Sequence, residues 1–282
     1  TVNGSTYTAW DVSSVSDMSY MFYQNGPSAA FNQSIGNWDV SSVTTMDSMF
    51  NGLTAFNQPI PTQEVTVNGS TYTAWDVSNV KSMNSMFQNS GFNNGQTNNE
   101  GTAPLYWDVS NVTDMSGMFS APVFNQPIGN WNTSSVYNML GMFDGATAFN
   151  QSINTQEVTV NGSTYTAWDT SKVENMLMMF SGATAFNQPI GNWNTSKTNN
   201  LGQMFRTTNV FDQDIVTKEV TVNGNTYTAW DTKNVTNMWG MFKSAPAFNQ
   251  NIGLWDVLSV TDLTDMFTSA TAMHTNYNGT TG

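Results

Sequence analysis

The sequence predicts a repeat solenoid: α/β coils of about 25 residues, each a strand plus a short helical segment, stacked into one array with β-hairpin insertions in alternate coils. Three observations predict it. The phrase W-[DN]-[VT]-x-x-V-x-x-M-x-x-M-F, followed after a short gap by F-N-Q-x-I, recurs nine times along the chain. The large apolar residues fall almost wholly into the columns of that phrase. A near-verbatim segment centred on Asn-Gly returns in alternate copies.

The coils start at Trp10, Trp38, Trp75, Trp107, Trp131, Trp168, Trp193, Trp230 and Trp255, and the array runs as one domain over residues 1–282. Steps between these tryptophans are 28, 37, 32, 24, 37, 25, 37 and 25 residues, so a 12-residue insertion separates long coils from short ones. All 17 Phe belong to two columns, one closing M-x-x-M-F and one opening F-N-Q-x-I, and 16 of the 18 Met occupy the two M positions. Departures are few: Thr198 replaces the second Val, and Leu201 and Leu263 replace the first Met.

Within a coil, the apolar residues of V-x-x-M-x-x-M-F are spaced at 3, 6 and 7, a helical or 3₁₀-like stripe preceded by Asp, Ser or Thr able to cap its N-terminus. Phe and Ile of F-N-Q-x-I lie four apart, on one side of a strand. Neither stripe can be buried inside a single coil, so neighbours must cover it, and strands about 4.8 Å apart would give nine coils a length on the order of 40 Å. The insertions at 64–74 and 157–167 read EVTVNGSTYTA, and that at 219–229 reads EVTVNGNTYTA. Val/Thr/Tyr alternation around Asn-Gly predicts a hairpin with a two-residue type I′ turn, Val65 opposite Tyr72 and Val67 opposite Ser70. A fourth copy, truncated, occupies 1–9. Residues 88–106, rich in Asn and Gly, break the register and read as a surface loop.

Composition excludes several functions. Leu, Ile, Val and Phe together make 55 of 282 residues, so Trp and Met must supply much of the core. Seven Lys+Arg against 20 Asp+Glu provide no cationic footprint for nucleic acid or anionic membranes. Without Cys there are no disulfides or thiolate sites, and the single His274 stands alone. No apolar run reaches the roughly 18 residues of a membrane span, so membrane insertion is not expected.

W-D-V-S-N-V-T-D-M-S-G-M-F at 107–119, followed by F-N-Q-P-I-G-N-W at 124–131, resembles the repeat of the BspA-like leucine-rich-repeat surface proteins, and the likeness extends through nine copies. The resemblance implies a right-handed leucine-rich-repeat-like solenoid, an extracellular place at a cell or virion surface, and non-enzymatic roles in adhesion or structural display. The alternate-coil hairpin departs from that family's usual array.

The expected partners are other copies of the chain or a longer parent chain, together with a surface ligand. Two further readings stand beside adhesion: a subunit of an end-to-end stacked filament, and a carbohydrate-binding or Ca²⁺-dependent scaffold. For the filament, the ends matter. The truncated hairpin, with Val2 and Tyr7, lacks the residue that would face Tyr7 as Val65 faces Tyr72, and at the other end the last coil, from Met266 to Met273, leaves the phrase after Phe267, with Met273 where Phe is expected. For Ca²⁺, the column Asp11, Asp39, Asp76, Asp108, Asp169, Asp231 and Asp256 stacks oxygen ligands, although capping of the following turn is the simpler reading. The Asn column that follows the second Phe reads as a structural ladder. No residue stands out as catalytic, and no cofactor is expected. Sequons at Asn3, Asn68, Asn111, Asn161, Asn234 and Asn278 mark possible glycosylation on a eukaryotic secretory route.

Overall fold

The computed structural model describes residues 10–24, 30–98 and 101–277. Three antiparallel hairpins account for its named strands: β1 (Gln63–Val67) with β2 (Ser70–Ala74), β3 (Gln156–Val160) with β4 (Ser163–Ala167), and β5 (Lys218–Val222) with β6 (Asn225–Ala229). In the first, Val65 faces Tyr72 and Val67 faces Ser70. Asn68 and Gly69 both take positive φ, 50° and 83°, which is what a type I′ turn needs and why Asn-Gly sits there. The threonine face is joined across the strands, Thr66 Oγ1 to Thr71 Oγ1 at 2.9 Å. Residues 1–9, with the truncated hairpin and Val2, Asn3 and Tyr7, lie outside the described residues, as does Asn278.

Successive repeats are stacked in parallel. Bridges run Asp17 to Thr45, Ser82, Asp114, Asn138, Asn175, Asn200, Asn237 and Asp262, one residue per repeat. Around each bridge the N–H groups point toward the following repeat. Met46, Ser48, Phe50 and Gly52 donate to the carbonyls of Ser82, Asn84, Met86 and Gln88 at 2.8–3.0 Å, while Lys81 N–H returns to Thr44 O.

Where the spacing predicts a helical segment, the chain forms turns; the α-helix among the described residues is α1 (Thr271–Tyr277), beyond the last M-x-x-M-F. The reason lies in the two residues between the methionines. Met49 N–H closes an i→i+3 turn on Met46 O, which reproduces a 3₁₀-like spacing, but the second intervening residue is left-handed. Tyr20, Ser48, Ser85, Gly117, Gly141, Met178, Gln203, Gly240 and Asp265 all have φ between 53° and 61°. That conformation stops a helix after one turn and aims the remaining N–H groups at the neighbour. Nor does F-N-Q-x-I become a strand among the described residues, because its backbone is satisfied by asparagine side chains.

Burial follows the columns. Trp75, Trp168, Trp193 and Trp230 are fully buried, as are most Phe and Met of the register, in one continuous cluster. Phe50 stacks on Phe87 at 5.4 Å and Phe87 on Phe119 at 5.7 Å, while within a repeat Phe50 meets Phe56 at 4.3 Å. Each buried indole N–H finds a carbonyl of an earlier repeat: Trp75 to Ile35, Trp168 to Ile128 and Trp230 to Ile190, each at 2.9 Å. The Trp and Ile columns are therefore coupled by hydrogen bonds as well as by packing. Residues 88–106 are not merely surface. Ser90, Phe92, Asn93, Asn94 and Leu105 are buried, and Leu105 stands in the Ile column, accepting the Trp131 indole N–H at 2.9 Å.

Candidate functional site

Each residue of the Asp column fixes the turn that follows it. Asp11, Asp39, Asp76, Asp108, Asp169, Asp231 and Asp256 accept, through Oδ1, the N–H two residues on, at 2.9–3.2 Å. Asn132 and Asn194 do the same in the two repeats that carry Asn. The Ser13 hydroxyl and N–H hold the Asp11 carboxyl below its ordinary range. Among the described residues no three His, Cys, Asp or Glu are gathered so as to hold a metal ion.

The second column is a ladder of side chains. Asn32 Oδ1 accepts Asn57 N–H, and the relay continues through Asn93, Asn125, Asn150, Asn187, Asp212 and Asn249 at 2.8–3.0 Å. Neighbouring glutamines reinforce it: Gln126 Nε2 donates to Asn93 Oδ1 at 2.8 Å and Gln250 Nε2 to Asp212 Oδ1 at 2.8 Å. The relay ends at Asn249, whose buried Oδ1 has no partner among the described residues. His274 follows Met273 where the other repeats have Asn after Phe, but its N–H closes the first turn of α1 on Ala270 O and is withdrawn from the ladder. Met266 and Met273, expected at an assembly end, are each 8% exposed and so already covered by their own chain.

Among the sequons, Asn68 and Asn161 occupy exposed hairpin tips. Asn111 and Asn234 are exposed as well, but their amides donate to Ser78 O and Ser196 O of the preceding repeats.

Hairpins lean back over the coils before them. The hydroxyls of Tyr72, Tyr165 and Tyr227 donate to the carbonyls of Asn37, Asn130 and Asn192. Burial pushes the Tyr227 phenol up to about 12, and Tyr72 and Tyr165 are raised in the same direction by burial and by nearby carboxylates, Asp39 and Asp108 respectively. Beneath the first two hairpins this lean leaves equivalent grooves, one reaching Asp11, Asn37, Trp38, Asn68 and Tyr72, the other Asp108, Asn130, Trp131, Asn161 and Tyr165. The second is larger, about 640 Å³, and carries Tyr106 on its rim. Sequence reasoning missed it. The readable signal was the position before each coil's Trp, which holds Ala or Asn in seven copies but Tyr106 and Leu254 in the other two.

A family model described as "Mycoplasma protein of unknown function, DUF285" matches the chain over residues 1–103, 64–161, 92–217 and 216–280. No curated protein and no solved structure matches the chain.

Proposed function

We infer that this chain, which belongs to the Mycoplasma DUF285 family of repeat proteins of unknown function, is a non-enzymatic extracellular surface protein acting in adhesion or structural display. On this reading the array is a leucine-rich-repeat-like solenoid of the BspA-like kind. Its supporting observation is the way the polar groups are used. The Asp column caps turns, the Asn column bridges repeats, and Asp17 to Asp262 form one unbroken register, so the side chains that a catalytic site would need are distributed one per repeat as scaffold. What remains free is a long lateral surface with hairpins projecting from it, which suits contact with a surface or a partner more than chemistry in a cleft.

Antibody labelling of intact producing cells tests it. Binding to unpermeabilised cells that mild external proteolysis removes is expected; labelling only after permeabilisation would overturn the reading.

One observation favours the filament alternative. On the ninth repeat the N–H groups of Leu263, Asp265 and Phe267 stand at the positions that, in every earlier repeat, donate to the repeat that follows. A further repeat, from a continuing chain or from another copy, would supply their acceptors. Concentration-dependent sizing of residues 1–282 tests the second source, and a monodisperse monomer at millimolar concentration excludes it.

A further inference from the structure

Between the first and second hairpins lie three coils, starting at Trp75, Trp107 and Trp131, whereas two coils, starting at Trp168 and Trp193, separate the second hairpin from the third. The shorter spacing brings hairpins together, and Asn223 at the tip of the third donates to Thr166 of the second at 3.4 Å. The longer spacing keeps them apart. A trough remains, with one lobe of about 640 Å³ under the second hairpin and an adjoining lobe of about 420 Å³ beside Pro104, Pro127 and Gln151. Both fall within the size range of small-ligand sites, about 300–1,000 Å³.

Tyr106 stands between the lobes and lines both. It is 65% exposed and makes no ring contact or side-chain hydrogen bond among the described residues. Its backbone is nevertheless held firmly. On one side Leu105 is buried, its N–H donating to Pro127 O; on the other Trp107 is buried, its indole donating to Ile60 O at 3.1 Å. A large aromatic is thus presented on a rigid base, with little left to order on binding. Across the larger lobe Tyr165 is fixed by its bond to Asn130 O at 2.6 Å.

Polar chemistry around this ring is one-sided. Neither lobe is lined by Lys or Arg, and the charged lining residue is Asp108. Asp108 is exposed and uses Oδ1 to cap Ser110, which leaves Oδ2 as an acceptor. Side-chain amides of Asn130, Asn161 and Gln156 supply donors and acceptors in pairs, while Asn132 adds its amide donor, its Oδ1 being held by Ser134 N–H, and Gln151 its amide oxygen, its Nε2 being held by Asn125. An exposed ring, amides and one carboxylate without a cation match a ligand having apolar C–H faces and many neutral hydroxyls. They do not match phosphate, sulfate or another polyanion, which a chain of net charge -13 would also repel.

We propose that this trough binds a neutral hexopyranose chain, with Tyr106 as the stacking platform and Asp108, Asn130 and Asn161 hydrogen-bonding its hydroxyls. The proposal rests on the adhesion reading and gives it a ligand class. Its test is made in solution, so its failure leaves surface labelling unaffected and the reverse is also true.

The test is calorimetric titration of residues 1–282 with maltohexaose, cellohexaose and laminarihexaose, alongside a heparin hexasaccharide and hexalysine. At least one neutral hexasaccharide is expected to bind with Kd at or below about 1 mM. Tyr106→Ala should weaken it at least tenfold and Tyr106→Trp should retain it. Tyr20→Ala, another exposed tyrosine outside the trough, should leave it unchanged. The proposal is overturned if no neutral hexasaccharide binds, if Tyr106→Ala binds as well as the parent, or if heparin or hexalysine is the probe whose binding depends on Tyr106.

Discussion

Substituting Asn93 by alanine removes one rung of the side-chain ladder at its most enclosed point. Asn93 is 3% exposed, and its Oδ1 accepts both Asn125 N–H at 3.0 Å and Gln126 Nε2 at 2.8 Å. Both donors are themselves buried, Gln126 completely. Gln126 cannot turn toward solvent without loss, because its Oε1 holds Ala103 N–H at 2.8 Å. Two buried donors left without an acceptor cost about 1–3 kcal/mol each, so Asn93→Ala should destabilise the chain by about 2–6 kcal/mol. Urea unfolding followed by tryptophan fluorescence reads this, since the indoles sit in the same core. Asp212→Asn is the control. Asp212 occupies the same column and accepts Asn249 N–H and Gln250 Nε2, and an amide oxygen can accept both, so its effect should stay within about 0.5 kcal/mol. An Asn93→Ala variant as stable as the parent would refute the idea that the ladder satisfies buried backbone.

Other expectations follow from local geometry. Half-burial raises the Asp144 pKa, so the folded state favours its protonated form; the stability this gives is complete below the unfolded carboxylate range and is lost as pH rises through the folded value. Asp144→Asn should therefore raise the melting temperature at pH 7 and leave it nearly unchanged at pH 3. Tyr227, held near 12, should ionise late in an ultraviolet titration, and Tyr227→Phe should remove that late phase. Its neutral form keeps its contribution until pH climbs past the unfolded value near 10 toward 12. Ser85→Gly replaces a left-handed serine, φ 53°, with the residue found at the equivalent Gly117 and Gly141; thermal melts should show it neutral or stabilising by up to about 1 kcal/mol.

The columns were legible because Trp, Phe and Met have no second use in this chain: nearly every one in register is buried. The hairpin register was legible for a different reason, since Asn68-Gly69 leaves its flanking Val and Tyr little choice of pairing. Spacing misled the reading of V-x-x-M-x-x-M. A three-residue period fits a short helix and a turn followed by a left-handed residue equally well, and that position holds Ser, Tyr, Gln and Met as readily as Gly. The strand expected at F-N-Q-x-I failed because Asn32 Oδ1, a side chain, takes the place of a neighbouring backbone carbonyl. Residues 88–106 were harder still. Leu105 keeps its place in the Ile column only across a long break, which hides the register and with it the significance of Tyr106.

The ladder is also directional: at every interface the main row of N–H groups points toward the later repeat and the carbonyls toward the earlier one. Each repeat thus offers its successor the same chemical edge that it received. Loss or gain of the 62 residues from one hairpin-bearing coil to the next, such as those between Trp168 and Trp230, would rejoin like to like. Because the hairpin segments are near-identical, such a change of length would leave the boundary between any two repeats chemically the same.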